Sequence, residues 1–155
     1  MIDLVNRFRK QTLRKWRNTR RHRFRPTADH VQVAEYDYYR LLRALARCRK
    51  DKTVRPAVLM AFRYLLSGAV VVPPRLVGYD VVTMNTDVLI RTRGGTLVRR
   101  RLVYPDQQDR SKSWVSVFSW TGISLLGRKE GDSVRWGMTI HKILYQPESR
   151  NHFHL

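Results

Sequence analysis

Gly78-Tyr-Asp-Val-Val-Thr-Met-Asn-Thr-Asp-Val-Leu-Ile-Arg91 is the stretch on which the reading of this chain turns. Its apolar residues fall into two short β-type runs, 81–84 and 87–92, on either side of Asn85, a residue suited to a turn or bulge between strands. Val81 and Val82 read as core material, and Asp80, Met84 and Asn85 as structural. The same texture continues downstream. Strands are expected over 96–104, 114–119, 133–138 and 139–145, and Gly94-Gly95 is a hairpin signal. Residues 123–126, held between Gly122 and Gly127, predict only one or two helical turns. Short, mostly antiparallel strands with one short helix make an α+β sheet domain.

Upstream the apolar period lengthens from two to 3.6. Tyr38, Leu41, Leu42 and Leu45 form one stripe on a helix expected over 35–48. Pro56 suits the first turn of a second helix, striped by Val58, Leu59, Phe62, Leu65 and Leu66, with Gly68 as its stop. A short polar link, 49–55, joins the two. Their stripes are therefore expected to bury against each other in an antiparallel helical hairpin. Val31-Gln-Val33 reads as a short strand. The expected organisation is a basic N-terminal helix or arm over 1–28, a short helical hairpin over 29–72, the sheet domain over 73–148 and a tail over 149–155.

With 43% apolar residues in a chain of 155, a real core is available and wholesale disorder is excluded. The single cysteine, Cys48, excludes an internal disulfide framework and any cysteine-cluster zinc site, and suits a reducing cytoplasm. No apolar run approaches the ~20 residues that span a bilayer. The longest, Ala69-Val-Val-Val-Pro-Pro74, is stopped by its prolines, so no membrane-spanning segment is expected and a membrane partner is the minor reading. The N-terminus is charged throughout, so no secretory signal is expected either.

Charge is the dominant compositional signal. Lys and Arg number 31 against 12 Asp and Glu, a net charge of +19, and the sequence pI is about 11.3. Such a chain is drawn to polyanions. Asp3 suits a helix cap before Leu4, Val5, Phe8, Leu13 and Trp16, with Arg7, Lys10, Arg14 and Arg17 opposite. Beyond that helix, Arg20-Arg-His-Arg-Phe-Arg25 reads as an extended arm ended by Pro26. Three readings stand side by side. The segment is a solvated arm, or a membrane-surface helix, or a nucleic-acid contact. In the last reading Arg14, Arg17, Arg20, Arg21, Arg23 and Arg25 meet phosphates while Trp16 and Phe24 stack on bases. Within the sheet domain, alternation sends Arg99 and Arg101 to one face and Arg100 to the other.

Five motifs follow one another in a fixed order. The 78–91 stretch leads to Leu102-Val-Tyr-Pro-Asp106, Ser116-Val-Phe-Ser-Trp-Thr-Gly-Ile-Ser-Leu-Leu-Gly127, Lys129-Glu-Gly-Asp132 and Tyr145-Gln-Pro-Glu148. In this order they resemble the C-terminal domain of the Gre transcript-cleavage factors of bacterial RNA polymerase, on the branch called Rnk, over roughly 72–148. The resemblance implies an FKBP-like fold and a grip on the rim of the polymerase secondary channel. Carried over by position, the polymerase-binding candidates are Asp106, Asp109, Ser119, Trp120 and Thr121. Trp120 stands where the family usually has proline, and is either an interface anchor or a core residue. Ser119 and Thr121 either meet a partner or cap the short helix.

Cleavage-stimulating members of that family carry two acidic residues at the tip of a long coiled coil, where they help to hold a catalytic Mg²⁺. Here the hairpin tip offers Arg47, Arg49, Lys50, Lys52 and Arg55 and a single carboxylate, Asp51. No enzyme activity, metal or cofactor is therefore expected. Cys48 has basic neighbours that would activate an exposed thiol, but no identifiable base, and reads as inert. His152 and His154 lack a third ligand and read as a chain end. No carboxylate pair suggests acid–base work, and no small-molecule substrate is implied. The leading expectation is a non-catalytic regulator that binds bacterial RNA polymerase near the secondary channel and competes with cleavage factors. The other is a basic nucleic-acid-binding module that works through the arginine-rich arm, with the Gre-like domain as scaffold.

Overall fold

A computed structural model describes residues 31–48 and 54–153. The N-terminal helix and arm, with Arg14, Trp16, Arg17, Arg20, Arg21, Arg23 and Arg25, lie outside the described residues, as do residues 49–53 and His154. Among the described residues no helix is long and apolar enough to cross a membrane.

The chain enters through β1 (Gln32–Ala34) and passes directly into α1 (Glu35–Cys48), then through the link to α2 (Pro56–Ser67) and β2 (Val70–Val72). Glu35 and Asp37 in the first turn of α1 and Arg47 in its last complement the helix dipole. Pro56 opens α2, where a missing N–H costs nothing. The apolar stripes are buried as the 3.6 period requires: Tyr38, Leu41 and Leu45 on α1, and Val58, Ala61, Phe62, Leu65 and Leu66 on α2. β1 pairs with β2 in parallel, Gln32 opposite Val70 and Ala34 opposite Val72. The valine run that reads only as a stopped apolar stretch thus supplies a strand partner for residues 32–34.

The second half is a curled five-stranded sheet in the order β5-β4-β3-β7-β6, built from β3 (Asp87–Arg91), β4 (Leu97–Val103), β5 (Trp114–Ser116), β6 (Ser133–Val134) and β7 (Met138–Tyr145). All its neighbours are antiparallel except β4 and β5. Two register shifts between β3 and β7 bend it. Inside the curl lies α3 (Trp120–Leu125), with Ile123 and Leu125 fully buried. Phe62 of α2 meets Phe118 edge-on at 4.8 Å between ring centres, and the residues of α1, α2, α3 and the sheet form one apolar cluster.

Three expected strands are shorter than the sequence suggests. Residues 81–84 form none: Val81 makes a single bridge to Lys129. Beyond it, Thr83 donates its N–H to Thr86 Oγ1 at 3.0 Å. Hydroxyl side chains offered this backbone a local bond in place of a ladder. Asn85 takes φ 60° there, the left-handed turn its side-chain type tolerates. β5 stops at Ser116 because Ser116 Oγ accepts the N–H of Phe118 and turns the chain. β6 stops at Val134 because Trp136 has φ 62° and ψ 26° inside a 3₁₀ turn.

Candidate functional site

The loop after β5 is held by serines. Ser119 Oγ donates to the carbonyl of Ser116 at 2.7 Å and accepts the N–H of Gly122 at 3.0 Å, capping α3. Gly122 lies so close to Ser116 and Val117 that an added Cβ would meet the Ser116 carbonyl oxygen inside any van der Waals distance. The cap and the glycine together fix where Trp120, the first residue of α3, leaves the backbone.

Trp120 is half-buried. Its indole packs against the core, and the Arg135 guanidinium sits 4.4 Å from its ring centre. The same guanidinium lies 5.0 Å from the ring of Trp136, so one cation bridges two indoles. The left-handed backbone at Trp136 turns its side chain outward, leaving the residue 56% exposed.

The two indoles border a groove of about 740 Å³ that runs from the start of α2 to the Trp136 turn. Asp106, Ser119, Trp120 and Thr121 all line it, beside Arg55, Arg110 and Phe118. Among the described lining residues Asp106 is the one carboxylate, against Arg55 and Arg110. Asp106 also borders a second groove of about 410 Å³, where Arg40, Arg43 and Arg47 of α1 face it. Four of the five polymerase-binding candidates are thus neighbours. Asp109 is not among them. Its Oδ1 accepts from the N–H and hydroxyl of Ser111 at 2.9 and 2.6 Å, and those bonds, the hydroxyl's foremost, hold its carboxyl below the usual range. Arg135 and Trp136 have no place in the sequence-based candidate set, since 133–138 reads as plain strand. The available signal was Trp followed by Gly137, an aromatic beside a turn residue.

Other sequence candidates resolve simply. Cys48 is half-buried against the core. His152 Nδ1 is hydrogen-bonded to the Tyr145 hydroxyl at 2.8 Å. Among the described residues no group of three His, Cys, Asp or Glu side chains is placed to hold a metal ion. Arg99 and Arg101 share one face of β4, both bonded to buried Asp87, while Arg100 bonds the carbonyl of Arg99.

Two further acids, buried Asp37 and half-buried Glu148, bond to hydroxyls. Asp37 Oδ1 accepts the Tyr104 hydroxyl at 2.6 Å, and Glu148 Oε2 accepts the Thr83 hydroxyl at 2.6 Å. Burial pushes both carboxyls above their ordinary values, against the opposing pull of those hydrogen bonds. Burial, and then Asp37, push the Tyr104 hydroxyl far up as well. Both acids are engaged as hydrogen-bond acceptors from neighbouring hydroxyls, a role in holding segments together.

A helical pair leading into a curled sheet closed over a serine-capped helix, with an aromatic groove at that cap, defines the class. Residues 77–146 match the family described as Transcription elongation factor, GreA/GreB, C-term, and the chain belongs to the GreA/GreB family. Among individual proteins, it is 38% identical over 93 residues to the Regulator of nucleoside diphosphate kinase of Escherichia coli (strain K12), covering 54% of this chain and 68% of that one. It is 28% identical over 134 residues to the Transcription elongation factor GreA of Chlorobium phaeobacteroides, covering 85% of this chain and 76% of the relative. A solved GreA/GreB elongation factor from Nitrosomonas europaea superposes with a TM-score of 0.65 at 27% identity, over 74% of this chain and 99% of that one. This C-terminal domain family is non-catalytic.

Proposed function

We propose that this protein is a non-catalytic regulator of transcription that docks on bacterial RNA polymerase near its secondary channel and competes there with transcript-cleavage factors. The observation that carries the reading is the convergence of Asp106, Ser119, Trp120 and Thr121 on one groove. Ser119, Trp120 and Thr121 are consecutive, and the fold brings Asp106 to the same groove. The sheet closed over α3 is, on this reading, the FKBP-like grip. Family relatives bear the name of transcription elongation factors, which supports polymerase as the partner.

The helical pair supports regulation over cleavage. Helices of 14 and 12 residues extend about 21 and 18 Å at 1.5 Å per residue, and the tip from Arg47 to Arg55 holds one carboxylate among five cations. A short positive tip has neither the reach nor the oxygen ligands for a buried Mg²⁺.

The test is binding of nuclease-treated protein to core RNA polymerase across a salt series, with and without a GreA competitor. Binding is expected to survive moderate salt and to be lost to the competitor. Trp136→Ala, at an exposed indole outside the core, is expected to weaken it about tenfold or more, as loss of an aromatic anchor does. Binding that vanishes steeply with salt and ignores the competitor would replace this reading with polyanion attraction through the basic N-terminal segment.

A further inference from the structure

The outer face of the sheet is ordered in rows across the strands. In the first, Trp114 of β5 stands opposite Arg101 of β4, Arg101 opposite Asp87 of β3, and Asp87 opposite Tyr145 of β7. The second row is Arg99, Leu89 and Lys142. The third is Leu97, Arg91 and Thr139, with Arg91 Nη2 bonded to His141 Nδ1 at 3.1 Å. Four cations stand in these rows against one carboxylate. That carboxylate, Asp87, is buried and anchors two of them, Arg99 at 2.8 Å and Arg101 at 2.6 Å, so their guanidinium groups are held in place over the face.

The aromatic residues of the first row enclose a groove of about 330 Å³, floored by Arg101 and edged by Asn85 and Gln107. That volume lies at the lower end of the ~300–1,000 Å³ of small-ligand clefts. The Arg101 guanidinium sits 5.3 Å from the Trp114 ring and 5.9 Å from the Tyr145 ring. Lys112 lies 4.9 Å from the Trp114 ring, on a side chain 60% exposed and therefore cheap to displace. Planar rings, a fixed guanidinium and two amides that both donate and accept are the groups that hold an unpaired base. The cations of the second and third rows continue the path for a phosphate backbone. An acidic protein surface would meet the cations, whereas a nucleotide brings phosphates for the cations together with a planar face and a hydrogen-bonding edge for the rings and amides.

We infer that this sheet face binds single-stranded nucleic acid, seating one base in this groove against the Trp114 ring and the Arg101 guanidinium while Arg99, Arg91 and Lys142 neutralise adjacent phosphates. The site shares no lining residue with the Trp120 groove and is argued without the N-terminal arginines, and it stands whether or not the polymerase reading holds.

The test uses the full chain and fluorescence anisotropy of labelled oligouridine and oligothymidine of about twelve nucleotides, within the usual range of single-strand site sizes, across a salt series. Trp114→Ala is expected to weaken binding roughly tenfold, the effect of one lost base stack. Trp114→Phe, which keeps a ring, is expected to retain most of the affinity and so separates stacking from misfolding. The double variant Arg91→Ala, Lys142→Ala is expected to reduce the slope of log affinity against log salt by about 0.7 for each phosphate no longer neutralised. Preference for one oligonucleotide would identify RNA or DNA as the ligand. Two results would overturn the inference: Trp114→Ala binding both oligonucleotides as tightly as the parent, or polyglutamate competing as well as either of them.

Discussion

Gly122 has no room for even a methyl group, because its α-carbon lies against the backbone of Ser116 and Val117. Gly122→Ala is expected to cost about 1–3 kcal/mol, the usual range for overpacking, read as a lower midpoint in thermal unfolding. The buried and half-buried acids make stability depend on pH in two opposite senses. Asp37 and Glu148 have carboxyls raised from 3.8 and 4.5 in the folded protein. Their contribution is complete below those values and is lost as the pH rises through the folded pKa. Asp87 behaves in reverse. Burial would raise its carboxyl, but hydrogen bonds from Arg101 and Arg99 outweigh burial and hold it below 3.8, so its contribution is complete above 3.8 and is lost on further acidification. Denaturant unfolding from pH 3 to 8 should therefore show stability falling on both sides of a maximum near the ordinary carboxyl range. Glu148→Gln should flatten the neutral side and Asp87→Asn the acid side.

At the scale of elements, what the sequence made legible depended on how strongly period and length agreed. The stripes of α1 and α2, with a proline at the start of the second, left little choice, and the helices span 35–48 and 56–67 as expected. β3, β4 and β7 were equally plain. The misread pieces are those where a local side-chain bond or a left-handed residue overrides the pattern: Thr83 with Thr86, Ser116 with Phe118, and Trp136. The same override hid the Trp136 edge of the candidate groove, because Trp136 takes its place through a turn that no alternation announces. Pairing between distant segments was also illegible, and the parallel match of β1 with β2 has no signature in either run. One long-range bond can be tested directly. Tyr104→Phe removes the donor to Asp37, 67 residues away. It is expected to cost about 1–3 kcal/mol for the hydrogen bond lost to a buried carboxyl, measurable by chemical denaturation.

At the scale of the whole molecule, the helical pair and the sheet share one apolar interior. Phe62, with no exposed surface, joins α2 to the loop after β5 through Phe118. Phe62→Ala is expected to cost about 3–5 kcal/mol. Calorimetry of the parent should give a single transition, with helix and sheet signals lost together. Two separate transitions would mean that the shared interior does not couple the halves.

The close approach of Gly127 to Val31 adds to that joint. A Cβ at Gly127 would run into the Val31 side chain, and the carbonyl of Val31 in turn accepts the N–H of Val70 at 2.9 Å. For anyone building chimeras from this family, the sheet is then not a cassette to be lifted out. A fragment begun at Pro73 would leave behind the residues that roof α3 and would present Phe118 bare to solvent. An exchange of grips between relatives has to carry β1, both helices and β2 along, or redesign the seam they leave.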